Sequence, residues 1–309
     1  MRKCVVTRRL PGEALERLSA EYETFVWPSP LPPTPEELRE IVRDAHALIC
    51  LLTDRVNADV FDSAPNLMVV ANYAVGFDNI DVAEAARRSI TVTNTPDVLT
   101  DATADFAFAL LASGARRISE ADRFVREGKW KTWEPGVLLG AAMKGAVVGV
   151  IGLGRIGSAF AERASGFGMT VLGHEISDDR AHLLELLSKC DFVSLHCPLT
   201  AENRHMIDRE ALSVMKPDAV LVNTARGGLL DLEAVAEALQ NDQLGAVAID
   251  VAEVEPIPPS HPIFQAPRVT ITPHIASGTR VVREKMVDLV VDNVLAVLRG
   301  DPPLTPVVI

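Results

Sequence analysis

Apolar and polar positions fall into two alternating series along the chain. In the first series, short β-rich runs occupy 3–8 (KCVVTR), 47–52 (ALICLL), 67–71 (LMVVA) and 90–94 (ITVTN). Between them lie stretches of helical character: GEALERLSA after Pro11, a segment ending near Asp44, a short helix at 57–63, and DVAEAARRS. Thr34 ends the Pro-rich loop WPSPLPPTP, and Glu37 follows at capping-box spacing, which predicts a helix start there. From Thr100 to about Glu127 the pattern predicts one long helix, with Phe106, Leu110, Ile118 and Val125 on its apolar face. A loop, KTWEPGVLLGAAMKG, leads into the second series, with strands predicted at 146–151, 169–173, 191–196, 219–223, 245–250 and 269–272. A last helix spans about 280–298, with Val282, Met286, Val290, Val294 and Val297 as its buried stripe. Strands alternating with helices mean βαβ units, parallel sheets and the α/β class. At ~150 residues per domain, the 309 residues of the chain predict two domains.

Composition narrows the function classes. Apolar residues make up 48% of the chain and charged residues 23%, the balance of a folded protein. The net charge of −12 disfavours a nucleic-acid or anionic-membrane partner, since both need a basic face. The N-terminus has no apolar signal core and no apolar run is long enough to span a bilayer, so a cytoplasmic location is expected. Cys4, Cys50, Cys190 and Cys197 show no CxxC spacing; reduced, buried thiols are expected, and no metal site.

The strand AVVGVI runs directly into Gly152-x-Gly154-x-x-Gly157, and a helix follows at once. Gly152 suits the tight turn, Gly154 the approach of a pyrophosphate, and Gly157 the close packing of helix on strand. The helix N-terminus then offers free N–H groups to phosphates. Glu175 stands 18 residues past Gly157, at the end of MTVLGHE, where a carboxylate accepts hydrogen bonds from ribose hydroxyls and repels a 2′-phosphate. The pattern predicts a dinucleotide site for NAD, with NADP possible. Arg155, inside the loop, is within reach of a phosphate.

Three segments that follow predicted strands carry the remaining candidate chemistry: VNTARGGLLD (222–231), IDVAEVEP (249–256) and TPHIASG (272–278). They place an Arg, a Glu and a His on the carboxyl rim of one parallel sheet. That set suits hydride transfer to a 2-oxo acid. The Arg pairs with the carboxylate and polarises the ketone, the His donates a proton, and the Glu holds the imidazole and favours its charged form.

At these residues the sequence resembles the D-isomer-specific 2-hydroxyacid dehydrogenase family, and within it the glyoxylate/hydroxypyruvate reductases. The likeness runs through ANYAVGFDNIDV (71–82), NTPDVLTDATAD (94–105), GLGRIG (152–157), NTARGGLLD, DVAEVEP and TPHIASGT. It implies Arg226, Glu255 and His274 as catalytic residues. It implies substrate binding by the backbone N–H groups of Val75 and Gly76, together with Arg226. Cofactor contacts are implied at Thr103, Gly152, Gly154, Arg155, Ile156, Gly157, Glu175, Ala225 and Asp250, the last two holding the nicotinamide carboxamide. The implied fold is two doubly wound, Rossmann-like parallel-sheet domains with the active cleft between them. Residues 1–97, completed by 276–309, would bind substrate, and 98–275 would bind the dinucleotide. The family also implies a homodimer, built through the long helix and the Trp130–Leu139 loop. Trp133, in TWEP, is then either a size-limiting residue in the partner's active site or a plain interface aromatic; Trp130 fits a packing role. Asp101 and Asp105 are read as favouring a helix N-terminal turn.

One segment departs from the family. Between Glu175 and the strand at Asp191 the family has a further short strand and a longer helix, whereas ISDDRAHLLELLSKC has room for one helix. The expectation is a cofactor sheet trimmed at one edge. Two alternatives stay open: another D-2-hydroxyacid dehydrogenase, and an NAD-sensing scaffold like the corepressors of this fold. Formate dehydrogenase is disfavoured because the histidine's acid partner is Glu255 rather than an amide. Phosphoglycerate dehydrogenase with a regulatory extension is disfavoured because the sequence ends at Ile309.

Overall fold

Buried runs of Val, Ile, Leu and Ala build two parallel sheets in the computed structural model, which describes residues 1–308. The chain separates into two units, Met1–Leu99 joined by the segment from Gly278 onward, and Thr100–Ser277.

The first unit holds β1 (Lys3–Val6), β2 (Glu23–Val26), β3 (Ala47–Cys50), β4 (Val69–Asn72) and β5 (Thr91–Thr93) in the order β2-β1-β3-β4-β5, every pair parallel. Its connecting helices are α1 (Ala14–Glu21), α2 (Pro35–Ile41), α3 (Ala58–Ser63) and α4 (Val82–Arg87). The C-terminal helix, Arg280–Arg299, buries Met286, Val290 and Val294 in the same unit. The Thr34–Glu37 capping box forms, with Thr34 N donating to Glu37 Oε2 at 2.8 Å and Glu37 N to Thr34 Oγ1 at 3.2 Å. Strand β2 has no counterpart in the hydrophobic pattern. It is an edge strand with only alternate residues half-buried, so pairing with β1 rather than an apolar run defines it.

The second unit holds β6 (Val147–Ile151), β7 (Thr170–His174), β8 (Phe192–Leu195), β9 (Val220–Asn223), β10 (Ala246–Ile249) and β11 (Val269–Ile271). The order is β11-β10-β9-β8-β6-β7, again all parallel. Helices α5 (Thr100–Ala115), α6 (Ile118–Arg126), α7 (Arg155–Gly166), α8 (Arg180–Lys189), α9 (Arg209–Val214) and α10 (Leu232–Gln240) complete it. Leu186, Leu195, Leu221 and Leu239 fill one core, and Leu111, Val150, Phe160 and Val222 the other. Both sheet faces are therefore covered, as all-parallel sheets require. Only α8 lies between β7 and β8, the one helix expected there, and β7 is the sheet edge.

The single long helix expected over Thr100–Glu127 is two helices. Arg117 adopts a left-handed φ of 54°, and its guanidinium reaches Glu120 at 2.9 and 2.7 Å. The apolar periodicity does not see this break, because Ile118 and Val125 keep the phase of the stripe while lying 55% and 50% exposed. All four cysteines are unpaired and buried. Among the described residues, no helix is long and apolar enough to cross a membrane.

Candidate active site

Strand order reverses around β6, with β7 on one side and β8 on the other, and the glycine loop leaves β6 at that point. Open α/β sheets bind ligands beyond the carboxyl ends of their strands at such a reversal. Gly152 has φ +92°, and a Cβ there would lie 2.8 Å from the Cys197 backbone N. A Cβ on Gly157 would lie 1.9 Å from the Gly152 carbonyl oxygen, so only glycine lets α7 start this close to β6. Gly154 differs: a Cβ there meets no protein atom within 4 Å. It is the N-cap of α7 and no side chain caps that end. The turn thus offers an open, unobstructed cradle in front of the first N–H groups of α7, and these residues fit a dinucleotide pyrophosphate.

Around the cradle, Arg155 and Ile156 form the first turn of α7. Glu175 follows β7 directly and is exposed; its N–H donates to Asp178 Oδ2 at 2.8 Å. Thr103 is buried in the first turn of α5. Asp101 and Asp105 do more than favour that turn, because both pair with Arg163 of α7, at 3.0 and 2.6 Å.

The predicted trio comes from three adjacent strands, β9, β10 and β11. After β9, the buried Asn223 brackets its own turn: Oδ1 accepts from Ala225 N at 3.0 Å, and Nδ2 donates to Arg226 O at 2.8 Å. Arg226 is extended, with Nη1 donating to Ala225 O at 2.8 Å. The turn then presses on the loop after β10, for a Cβ on Gly227 would lie 1.8 Å from the Ala252 carbonyl carbon. On that loop, Glu255 Oε1 accepts from Ala252 N at 2.9 Å, and Oε2 meets His274 Nδ1 at 2.8 Å.

His274 follows β11 at a left-handed φ of 55°, its N–H shared between Asp250 O and Thr272 O. Asp250 holds this turn. Fully buried, its carboxylate accepts from Thr272 Oγ1 at 2.6 Å, Ile275 N at 2.9 Å and Ala276 N at 2.7 Å. Asn223 and Asp250 are thus supports of the trio. Their position at strand ends was visible in the sequence, but their partners were not.

Burial pushes the Glu255 carboxyl up, but hydrogen bonds from His274 and the Ala252 N–H, with the charges of His274 and Arg226, outweigh it and hold the group below the usual carboxylate range. Glu255 therefore stays ionised and fixes Nδ1 as the donor nitrogen. Nε2 is left as the ring atom that can pass a proton to a ligand.

Val75 and Gly76 lie in the first unit, just past β4. Their carbonyls are taken by buried amides: Asn94 Nδ2 donates to Val75 O and Asn72 Nδ2 to Gly76 O, each at 2.7 Å. Trp133 lies on the exposed loop after α6 at 80% exposure. Trp130, expected to pack, is 61% exposed.

The family model described as D-isomer specific 2-hydroxyacid dehydrogenase, NAD binding domain, matches residues 108–276. A glyoxylate reductase of Korarchaeum cryptofilum is 47% identical over 309 residues, covering 96% of this chain and 93% of its own. A crystal structure of a protein from Thermus thermophilus superposes with a TM-score of 0.93 at 45% identity, covering 99% of this chain and all (100%) of that one. An NADPH-dependent glyoxylate/hydroxypyruvate reductase of Sinorhizobium meliloti, solved with NADP and malonate, gives 0.86 at 33% identity over 99% and 96% of the two chains. The glycine cradle, the Arg–Glu–His trio and these likenesses agree, and the chain belongs to the D-isomer specific 2-hydroxyacid dehydrogenases, NAD(P)-dependent oxidoreductases of α/β fold.

Proposed function

We propose that this enzyme reduces glyoxylate or hydroxypyruvate to the 2-hydroxy acid, with NADH preferred to NADPH. The observation that carries the reading is the Glu255–His274 pair at 2.8 Å beside Arg226, on the rim of the sheet that bears the glycine cradle. When bound, the reduced nicotinamide would supply hydride to the carbonyl carbon of the 2-oxo acid. Gly152, Gly154, Arg155, Ile156 and Gly157 would hold its phosphates with Thr103, Glu175 its ribose, and Ala225 and Asp250 its carboxamide end. The segment 98–275 is then the dinucleotide domain, and 1–97 with 276–309 the substrate domain.

The chain's own groups do the rest. The N–H groups of Val75 and Gly76 and the Arg226 guanidinium receive the substrate carboxylate. Arg226 also polarises the carbonyl. His274 Nε2 gives its proton to the carbonyl oxygen as that becomes a hydroxyl, and Glu255 stabilises the charged imidazole before transfer. The reaction consumes one 2-oxo acid, one reduced cofactor and one proton.

Cofactor choice rests on Glu175. A carboxylate at this place hydrogen-bonds ribose hydroxyls and repels a 2′-phosphate. Initial rates followed at the reduced-nicotinamide absorbance, with glyoxylate and hydroxypyruvate and each cofactor, test the whole reading. NADH is expected to exceed NADPH in kcat/KM by about tenfold or more. Preference for NADPH would overturn the reading of Glu175, and absence of turnover with both acids would overturn the substrate class.

Ile118, Val125, Trp130, Trp133 and Leu139 leave a cluster of exposed apolar side chains on α6 and the loop after it. Such a patch supports a homodimer formed through it, with Trp133 of one protomer limiting substrate size in its partner. Light scattering should give twice the chain mass, and Trp133→Ala should admit bulkier 2-oxo acids; a monomer would contradict both. Four unpaired, buried thiols support a reducing cytoplasmic location, which fractionation of the source cells would check.

A further inference from the structure

The trimmed link between β7 and α8 gathers three metal-type ligands that the catalytic reading does not use. His174 is the last residue of β7 and is buried; His182 lies exposed in the first turn of α8; Asp178 sits in the turn between them. The imidazole rings meet edge to edge, with centroids 5.2 Å apart and 17° between planes, and their Nδ1 atoms face each other at 3.0 Å. Asp178 Oδ2 stands 3.3 Å from His182 Nδ1 and 3.7 Å from His174 Nδ1. The turn is held by the chain itself: Asp178 Oδ2 accepts from Glu175 N at 2.8 Å, and Asp179 caps α8 by accepting from His182 N at 2.8 Å.

The three donor atoms form a triangle with sides of 3.0, 3.3 and 3.7 Å. Ligand atoms about 2.0–2.1 Å from a tetrahedral zinc ion are separated by roughly 3.3–3.4 Å, the mean size of that triangle. A proton shared between the two nitrogens accounts for their approach in the absence of an ion, and the Glu175 N–H holds Asp178 Oδ2 beside them, so the three donor atoms stand ready to close on one cation. Two imidazoles and a carboxylate are the donor set of three-ligand zinc sites, which keep a fourth position for water. Here Asp178 and His182 are open to solvent, so that position is accessible. Glu175 and Asp179 flank the cluster with further negative charge.

We propose that His174, Asp178 and His182 form a binding site for one divalent transition-metal ion of the zinc class, pinning the end of β7 to the start of α8. This assignment is independent of the substrate and cofactor readings. It departs from the expectation, drawn from cysteine spacing, that the chain carries no metal site, for the ligands are histidines eight positions apart that the turn brings together.

The test uses full-length, tag-free protein stripped with a chelator and then titrated with Co²⁺, read by its visible d–d absorption. Competition of Zn²⁺ against a chromophoric chelator gives the affinity. The wild type should bind one equivalent with an intense, four-coordinate spectrum. His182→Ala and Asp178→Asn, both at exposed positions, should each weaken binding at least tenfold while the circular dichroism spectrum stays native. His205→Ala, which touches a separate His–Glu pair, should bind as the wild type does. No binding by the wild type, or equal affinity in the wild type and both site variants, overturns the proposal.

Discussion

At the scale of the residue, the site is a set of charged side chains whose turns are held by hydrogen bonds with Asn223 and Asp250. Arg226 owes its extended backbone to Asn223, and its partner loop is close because position 227 is glycine. If its guanidinium pairs with the substrate, Arg226→Ala should lower kcat/KM by well over tenfold, since losing a charge-assisted, desolvated contact costs about 2–5 kcal/mol. Arg226→Lys should recover little of that, because an ammonium cannot reproduce the planar fork. Near-wild-type kinetics of the alanine variant would remove Arg226 from the substrate. Glu255 permits a second prediction. Burial opposes its ionisation, and the hydrogen bond from His274 heads the effects that hold it low. A carboxyl depressed in the folded state contributes stability that is present above its unfolded value and is lost as pH falls through the folded one. His274→Ala should therefore raise the Glu255 titration and move that loss to higher pH. Carboxyl-carbon NMR of the two proteins would show the displacement, and an unmoved resonance would mean that His274 does not set the acid's charge.

At the scale of the element, the βα turn after β6 separates what the fold requires from what the ligand requires. Gly157 is closed in by the Gly152 carbonyl, whereas Gly154 faces open space. Gly157→Ala should strain the β6–α7 junction and lower the melting temperature. Gly154→Ala should leave the melting temperature within a degree or two yet weaken NADH binding by tenfold or more, measured by nicotinamide fluorescence, because its methyl would occupy the surface meant for pyrophosphate. Equal NADH affinity in Gly154→Ala and the wild type would contradict the cradle. The same scale shows where periodicity misleads. The stripe from Phe106 to Val125 continues in phase across Arg117, yet the helix breaks there, and α6 has no buried residue. Periodicity reports which face is apolar, not whether anything covers it. Strand β2 is the converse case, a strand with no stripe, present because β1 has a free edge.

At the scale of the whole molecule, a half-buried imidazole ties stability to pH. His196, at the end of β8, packs on Phe160 with ring centroids 4.9 Å apart and shares a 2.8 Å contact with Ser194 Oγ. Burial pushes its pKa from 6.5 down to about 3. The unfolded chain then binds a proton that the native state refuses, so stability falls as pH drops below 6.5 and stops falling near 3. Its contribution has a limiting slope of about 1.4 kcal/mol per pH unit. Between pH 7 and 5, wild-type urea stability should drop by about 1–2 kcal/mol more than that of His196→Gln. Parallel pH profiles for the two proteins would show that His196 is not the group responsible.

Local chemistry in the sequence was enough for much of this protein. The parallel α/β class, the glycine turn, the capping box and the shortened β7–β8 link each depend on neighbours in sequence, so they are legible as spacing and residue type. The rim that carries Arg226, Glu255 and His274 was legible because every parallel strand delivers its following residues to the same edge. Contacts between segments distant along the chain were not. Asp250 accepts three donors from the His274 turn, Asn223 and Gly227 set the Arg226 loop, and Arg163 draws two acids of α5 onto α7. The facing of His174 and His182 depends on a turn whose geometry no periodicity encodes. Hydrogen bonds and ligand triangles are fixed by distance and angle, and these exist only once the sheets have set the strand ends side by side.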